Sequence, residues 1–209
     1  TFSYPKFKTR HGTYLSLKKG VWESASRTYS TERLKLVNVP VLKTHGGAGV
    51  TACIKHYMGV VSQSLLDNHP FIWNGGLAAE MVHIRSPTLN ILDATYVNPH
   101  PVESRKAGPS TAYEDAVESR QILAGLDPVA VDYWASKNVL VPLAQSLGYS
   151  SYSSIDPDSP GIFQNYLTAS MNVLTAAGRQ ATTDPSRMQV FTERVNDRTV
   201  AIKSATVFG

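Results

Sequence analysis

The order of elements along the chain predicts an α/β fold with helices layered on a mostly parallel sheet and an antiparallel edge near the C-terminus. Three observations predict it. The β-branched and apolar run Leu34 to Leu42 is followed by a glycine-rich loop and then by apolar residues at helical spacing, Ile54, Met58 and Val61. A second buried run, Thr88 to Tyr96, follows the helically spaced stretch Leu77 to Ile84. A third strand, Gln121 to Gly125, passes through the turn Leu126-Asp127-Pro128 into a helical pattern over Val129 to Leu140.

Residues 1 to 30 are rich in Thr, Ser, Tyr and Lys without a sustained period, and read as an irregular N-terminal arm with a turn at His11-Gly12. The remainder, 31 to 209, reads as one α/β domain or the later part of a longer one. In Leu34 to Leu42 the interruption by Pro40 marks a strand ending near Lys43. His45 to Val50 holds Gly46, Gly47 and Gly49, so the expected order is strand, loop, helix.

Asp67 to Gly76 carries turn residues, and the proline-bearing, charged stretch 98 to 116 reads as an exposed loop. Asp127 is placed to cap the helix over Val129 to Leu140, with Pro128 at its first position. A further helix is expected over Pro160 to Ala177. Arg187 to Val195 and Thr199 to Val207 read as closing strands around Asn196-Asp197.

Composition removes several function classes. No apolar run approaches the roughly 18 to 20 residues of a bilayer-spanning helix, so no membrane span is expected. Cys53 is the only cysteine, so this chain alone can ligate no iron–sulfur cluster and no multi-thiolate zinc. The net charge of +4 is spread along the sequence, and no strand interleaves aromatic with basic residues, which disfavours a nucleic-acid partner. The excess is read as a preference for anionic small molecules. The chain as given opens at Thr1 with no initiator Met and shows no secretory pattern, so it reads as a processed or trimmed product of undecided compartment, cytoplasmic or exported.

The chemistry-bearing residues gather at the glycine loop. A loop between strand and helix can aim backbone N–H groups and the positive end of a helix dipole at an anion. Lys43, Thr44 and His45 stand at its entrance, Gly46, Gly47 and Gly49 within it, and Thr51 and Lys55 beyond it. These, with His69, are the expected ligand-binding residues. The spacing lacks the Gly-Lys-Ser/Thr ending of a nucleotide-hydrolysing loop, and the glycines serve equally well in a tight turn with Thr51 as a cap.

His45, whose ordinary pKa of about 6.5 suits proton transfer, is a candidate acid or base. Asp93 is placed near the carboxyl end of its strand, where open α/β sheets contact ligands. Asp132 lies in an apolar helix and must find a partner. His45, Asp93 and Asp132 are thus the candidate catalytic residues. As an alternative, His45, His69 and Asp93 form a candidate metal site with imidazole and oxygen ligands.

Taken together, Asn38-Val-Pro-Val-Leu-Lys43-Thr44-His45, Thr51-Ala-Cys-Ile-Lys55-His-Tyr-Met-Gly59, His69, Ile91-Leu-Asp93-Ala and Leu123-Ala-Gly-Leu-Asp127-Pro128-Val-Ala-Val-Asp132 resemble the domain-of-unknown-function family number 362 over about residues 33 to 145. Gly108 and Pro109 fall on its motif positions as well. The resemblance implies an uncharacterised prokaryotic domain, sometimes joined to ferredoxin-like iron–sulfur modules. It also implies that this chain could serve as an accessory module for such an electron-transfer partner. His56 stands where the family usually has Asn. The family's upstream strand and Lys-Pro-Asn segment have no room here, which implies either that the chain is a fragment or that a partner supplies the missing N-terminal half.

Overall fold

The computed structural model describes residues 4–60, 71–101 and 116–193. Two sheets organise them. Residues left by the sequence as an irregular arm form a four-stranded antiparallel meander, β1 (Lys6–Lys8), β2 (Tyr14–Ser16), β3 (Gly20–Glu23) and β4 (Thr28–Ser30). Strands of three or four residues are too short to show a period, but their turns are legible. Gly12, at φ +85°, makes the turn expected at His11-Gly12.

The second sheet contains β5 (Val37–Asn38), β6 (Val41–His45), β7 (Gly49–Thr51), β8 (Leu89–Asn98) and β9 (Val117–Gly125). β5 and β6 both run parallel to β8, separated from one another by Pro40, which cannot donate to a ladder. β7 and β9 are antiparallel to their neighbours. The sheet is therefore mixed, not mostly parallel. Chain length explains the difference, because the few residues between β6 and β7 allow only a hairpin, whereas a parallel return needs a crossover of a dozen or more.

Both antiparallel edges, β7 and β9, lie in mid-chain and not near the C-terminus. Residues 188–193 carry no strand, and the rest of the expected closing pair, Arg194, Val195, the Asn196-Asp197 turn and Thr199 to Val207, lies outside the described residues. Most of the expected 98–116 loop does too, and residues 71–73 are helical, not part of a loop.

The helices are α1 (Cys53–His56), α2 (Gly76–His83), α3 (Pro128–Ala135), α4 (Val141–Ser146) and α5 (Ile162–Ala176). α1 is one turn, continued as a 3-10 turn over Tyr57–Val60. α3 begins as its sequence indicates: Asp127 Oδ1 accepts from Val129 N at 2.8 Å and Ala130 N at 3.2 Å, with Pro128 in the first turn. A π turn over Ser136–Leu140 joins α3 to α4.

One face of the second sheet supplies Leu42, Leu92 and Ala94, all fully buried, to a core shared with Val129, Leu140, Phe163 and Leu167 from the helices. The opposite face carries Val37, Val41, Tyr96 and Ile122, which are 48 to 71% exposed. Alternation along β6 thus sends Leu42 and Thr44 inward and Lys43 outward.

A buried polar chain ties the sheet to α1. Asn38 Nδ2 donates to Cys53 O at 2.9 Å and to Asn90 Oδ1 at 3.0 Å, while Asn90 Nδ2 reaches Gly125 O at 3.2 Å. The meander is held to the helical layer by Arg85, which donates to the carbonyls of Leu17, Lys18, Thr31 and Leu34 at 2.6 to 3.2 Å.

Candidate functional site

The glycine loop is the tip of the β6–β7 hairpin. Lys43 pairs with Thr51, Thr44 with Val50 and His45 with Gly49. Its amides are used inside the hairpin: Gly47 N donates to His45 Nδ1 at 3.1 Å, and Ala48 N to His45 O at 3.2 Å. Gly47 O in turn accepts from Trp73 Nε1 at 2.8 Å. Gly49, at φ +73°, is buried so closely that an added Cβ would stand 2.7 Å from Phe163 Cβ and from Ser154 O. The expected cradle of free loop amides therefore does not form, because a tight turn consumes them; only Gly46 is exposed.

The other half of the expected anion site, the start of the helix, is also filled. Cys53 N donates to Asp132 Oδ1 at 2.7 Å and Ile54 N to Asp132 Oδ2 at 3.0 Å. The carboxylate of α3 thus occupies the position that an anion would take at the first amides of α1. Asp132 is fully buried, and burial, opposed by these amide bonds, pushes its pKa up to about 7. A carboxylate enclosed in this way positions α1. Beside it, Cys53 is buried too, and its thiol is pushed well up by burial and by the Asp132 charge.

What α1 positions is Lys55. One turn beyond Thr51, the Lys55 ammonium is partly buried and feels the charge of Lys43, so its pKa falls to about 8, burial being the larger cause. His56 is lowered as well, by burial and then by the charge of Lys55. Thr51, 9% exposed, sits directly across the hairpin from Lys43, and its Oγ1 is buried without a hydrogen-bond partner among the described residues. Lys43 also pairs with Asn98, the last residue of β8, so the group stands at the carboxyl ends of the parallel strands. Among the described residues neither Lys43 nor Lys55 is bonded to a carboxylate.

Two more expected site residues have structural partners. Thr44 is buried and donates to His100 O at 2.6 Å, tying the end of β6 to the segment after β8. His45 lines, with Gly49, Ser154, Gly161 and Ile162, a cavity of about 220 Å³ whose walls include neither lysine.

Asp93 stands in the middle of β8, not at its end, opposite Val41 and Ile122, and accepts from Thr95 N at 2.8 Å. Thr95 bonding holds its carboxyl below the ordinary range. The strand continues past Asp93 because Tyr96 and Val97 still find partners on β9.

The metal set does not assemble from its described members. Asp93 pairs with Val41, and His45 lies four residues further along β6, roughly 13 Å at about 3.3 Å per residue. That is too far for one ion to bind both at about 2 Å. Among the described residues no cluster of three His, Cys, Asp or Glu has the form of a metal site, and His69 lies outside them. The supporting residues that sequence reasoning missed are Asn38, Asn90 and Trp73, whose only signal is a polar residue in an apolar strand or an indole beside glycines.

Among the described residues no helix is long and apolar enough to cross a membrane. No curated protein and no solved structure matches the chain. The model of the family described as Domain of unknown function (DUF362) matches residues 23–137, more than half of the chain, from the end of β3 into the π turn after α3. The span contains the β6–β7 hairpin, Lys55 and the carboxylate that fixes α1, and the protein belongs to the DUF362 family.

Proposed function

We propose that this chain binds an anionic small molecule or cofactor at the group formed by Lys43, Thr51 and Lys55. The observation that carries the reading is that, among the described residues, two ammonium groups lie within each other's field with no carboxylate to neutralise them, and the buried hydroxyl of Thr51, across the hairpin from Lys43, has no partner. Holding like charges together and partly desolvated is unfavourable in the free protein. A phosphate or carboxylate would remove that cost and give Thr51 Oγ1 an acceptor.

Compared with the sequence reading, the ligand moves from the loop amides to the lysines. Gly46, Gly47 and Gly49 shape the hairpin, Thr44 fixes its base, and Asp132 sets the position of α1. No reaction follows from the geometry alone.

Thermal unfolding in the presence of inorganic phosphate or citrate tests the proposal. A ligand at about ten times its Kd adds about 1.4 kcal/mol, which for a chain of this size raises Tm by about 3 to 6 °C. A rise no larger than sodium chloride gives at equal ionic strength would remove the reading.

A further inference from the structure

No single strand of this chain interleaves aromatic and basic residues, but the folded meander interleaves them across strands. Lys8 on β1 lies directly opposite Tyr14 on β2, and Trp22 on β3 directly opposite Tyr29 on β4. Between β2 and β3 the register pairs Leu15 with Val21 and Ser16 with Gly20, so one residue further it sets Tyr14 against Trp22. Directly opposed residues share a face. Lys8, Tyr14, Trp22 and Tyr29 therefore form one row running across all four strands.

Positive charge lies along that row. Lys8 Nζ is 5.1 Å from the centre of the Tyr14 ring and Lys19 Nζ is 6.0 Å from that of Tyr29. Lys6 shares the face, and its Nζ lies 5.9 Å from the Tyr4 ring, with Lys18 at 5.5 Å from the same ring. Tyr14 is 50% exposed, and Trp22 and Tyr29 meet edge to face at 5.1 Å while remaining half-buried. Within the first 30 residues Lys6, Lys8, Arg10, Lys18, Lys19 and Arg27 face one acid, Glu23, whereas the whole chain nets only +4. The excess first read as spread along the sequence therefore lies in the first 30 residues, which net +5 against −1 for the rest of the chain.

We propose that this face of the N-terminal meander binds single-stranded nucleic acid, with bases stacking on Tyr14 and Trp22 and phosphates held by Lys6, Lys8 and Lys19. An aromatic row among lysines matches a polymer that alternates flat, uncharged rings with regularly spaced negative charges. Three inter-strand gaps of about 4.8 Å give a row roughly 14 Å long, room for two or three splayed bases. Duplex bases, stacked inside their helix, cannot reach the rings. The surface is independent of the Lys43 and Lys55 group, so either can stand without the other.

Fluorescence anisotropy of a labelled oligothymidylate of about twenty nucleotides with the full chain, at about 50 mM salt and above, tests it. Binding is expected to weaken roughly five- to a hundredfold in Tyr14→Ala and again in Trp22→Ala, the loss typical of one stacked base. Lys8→Ala is expected to flatten the salt dependence by about 0.7 in log–log slope. The half-exposed position of Tyr14 makes its truncation harmless to the fold, and Arg179→Ala, on an exposed arginine after α5, should change nothing. Absence of binding overturns the proposal. So does binding that a duplex or an acidic polysaccharide matches and that Tyr14→Ala leaves unaltered, since this would be attraction of any polyanion to a basic surface.

Discussion

The carboxylate of Asp132 accepts the backbone N–H of Cys53 at 2.7 Å, so a side chain of α3 closes the N-terminus of α1 from 79 residues away in sequence. Its second oxygen takes Ile54 N at 3.0 Å. The short helix that presents Lys55 has no side-chain cap of its own from Ala52 and depends on this borrowed one.

Replacing Asp132 therefore tests how α1 is held. Asp132→Ala leaves two buried amides unsatisfied and a small void, with an expected loss of about 2 to 5 kcal/mol in urea unfolding. Asp132→Asn retains one acceptor and turns an NH₂ toward the other amide, for an intermediate loss. An Asn variant as stable as the wild type would show that the amide bonds do not hold α1.

The two lysines should behave in the opposite way. Lys43→Ala or Lys55→Ala relieves like-charge repulsion, so stability without ligand is expected to stay level or rise by a few tenths of a kcal/mol. Phosphate or citrate affinity, measured by calorimetry, should fall about tenfold or more in each, and the double variant should lose less than the product of the two. Unchanged affinity in both single variants would separate the lysines from anion binding.

Arg85 is the clasp between the meander and the helical layer. Arg85→Ala removes donors from the carbonyls of Leu17, Lys18, Thr31 and Leu34, and these charge-assisted bonds together are expected to contribute about 2 to 4 kcal/mol. Hydrogen exchange should quicken across residues 14–31 while Leu42, Leu92 and Leu167 keep their protection. Uniform loss of protection would instead mean that both sheets unfold as one unit.

Long, patterned elements were legible in the sequence and borrowed ones were not. Asp127-Pro128 announces α3, and the apolar spacing from Pro160 onward announces α5, because cap and period are local. The glycines after His45 suit an anion loop and a hairpin equally, and what decides between them is Phe163 and Ser154 closing on Gly49 from far along the chain. Asp132 is legible as a carboxylate in need of a partner, but its partners are backbone amides, which carry no sequence signal. Asp93 reads as a strand end only until β9 is known to extend the ladder past it.

The protonation of Lys55 tests the binding site most directly. Its pKa of about 8 lies below the ordinary lysine value, so the folded chain releases this proton more readily than the unfolded one. Stability without ligand should therefore rise as pH climbs from about 8 toward 10.5, while anion affinity, full below about 8, falls over the same window. Nitrogen NMR of the lysine side chains, titrated with and without inorganic phosphate, should find Lys55 near 8 in the free protein and raised by a unit or more with phosphate, the increase abolished in Lys43→Ala. A Lys55 that titrates near 10.5 and ignores phosphate would contradict the site.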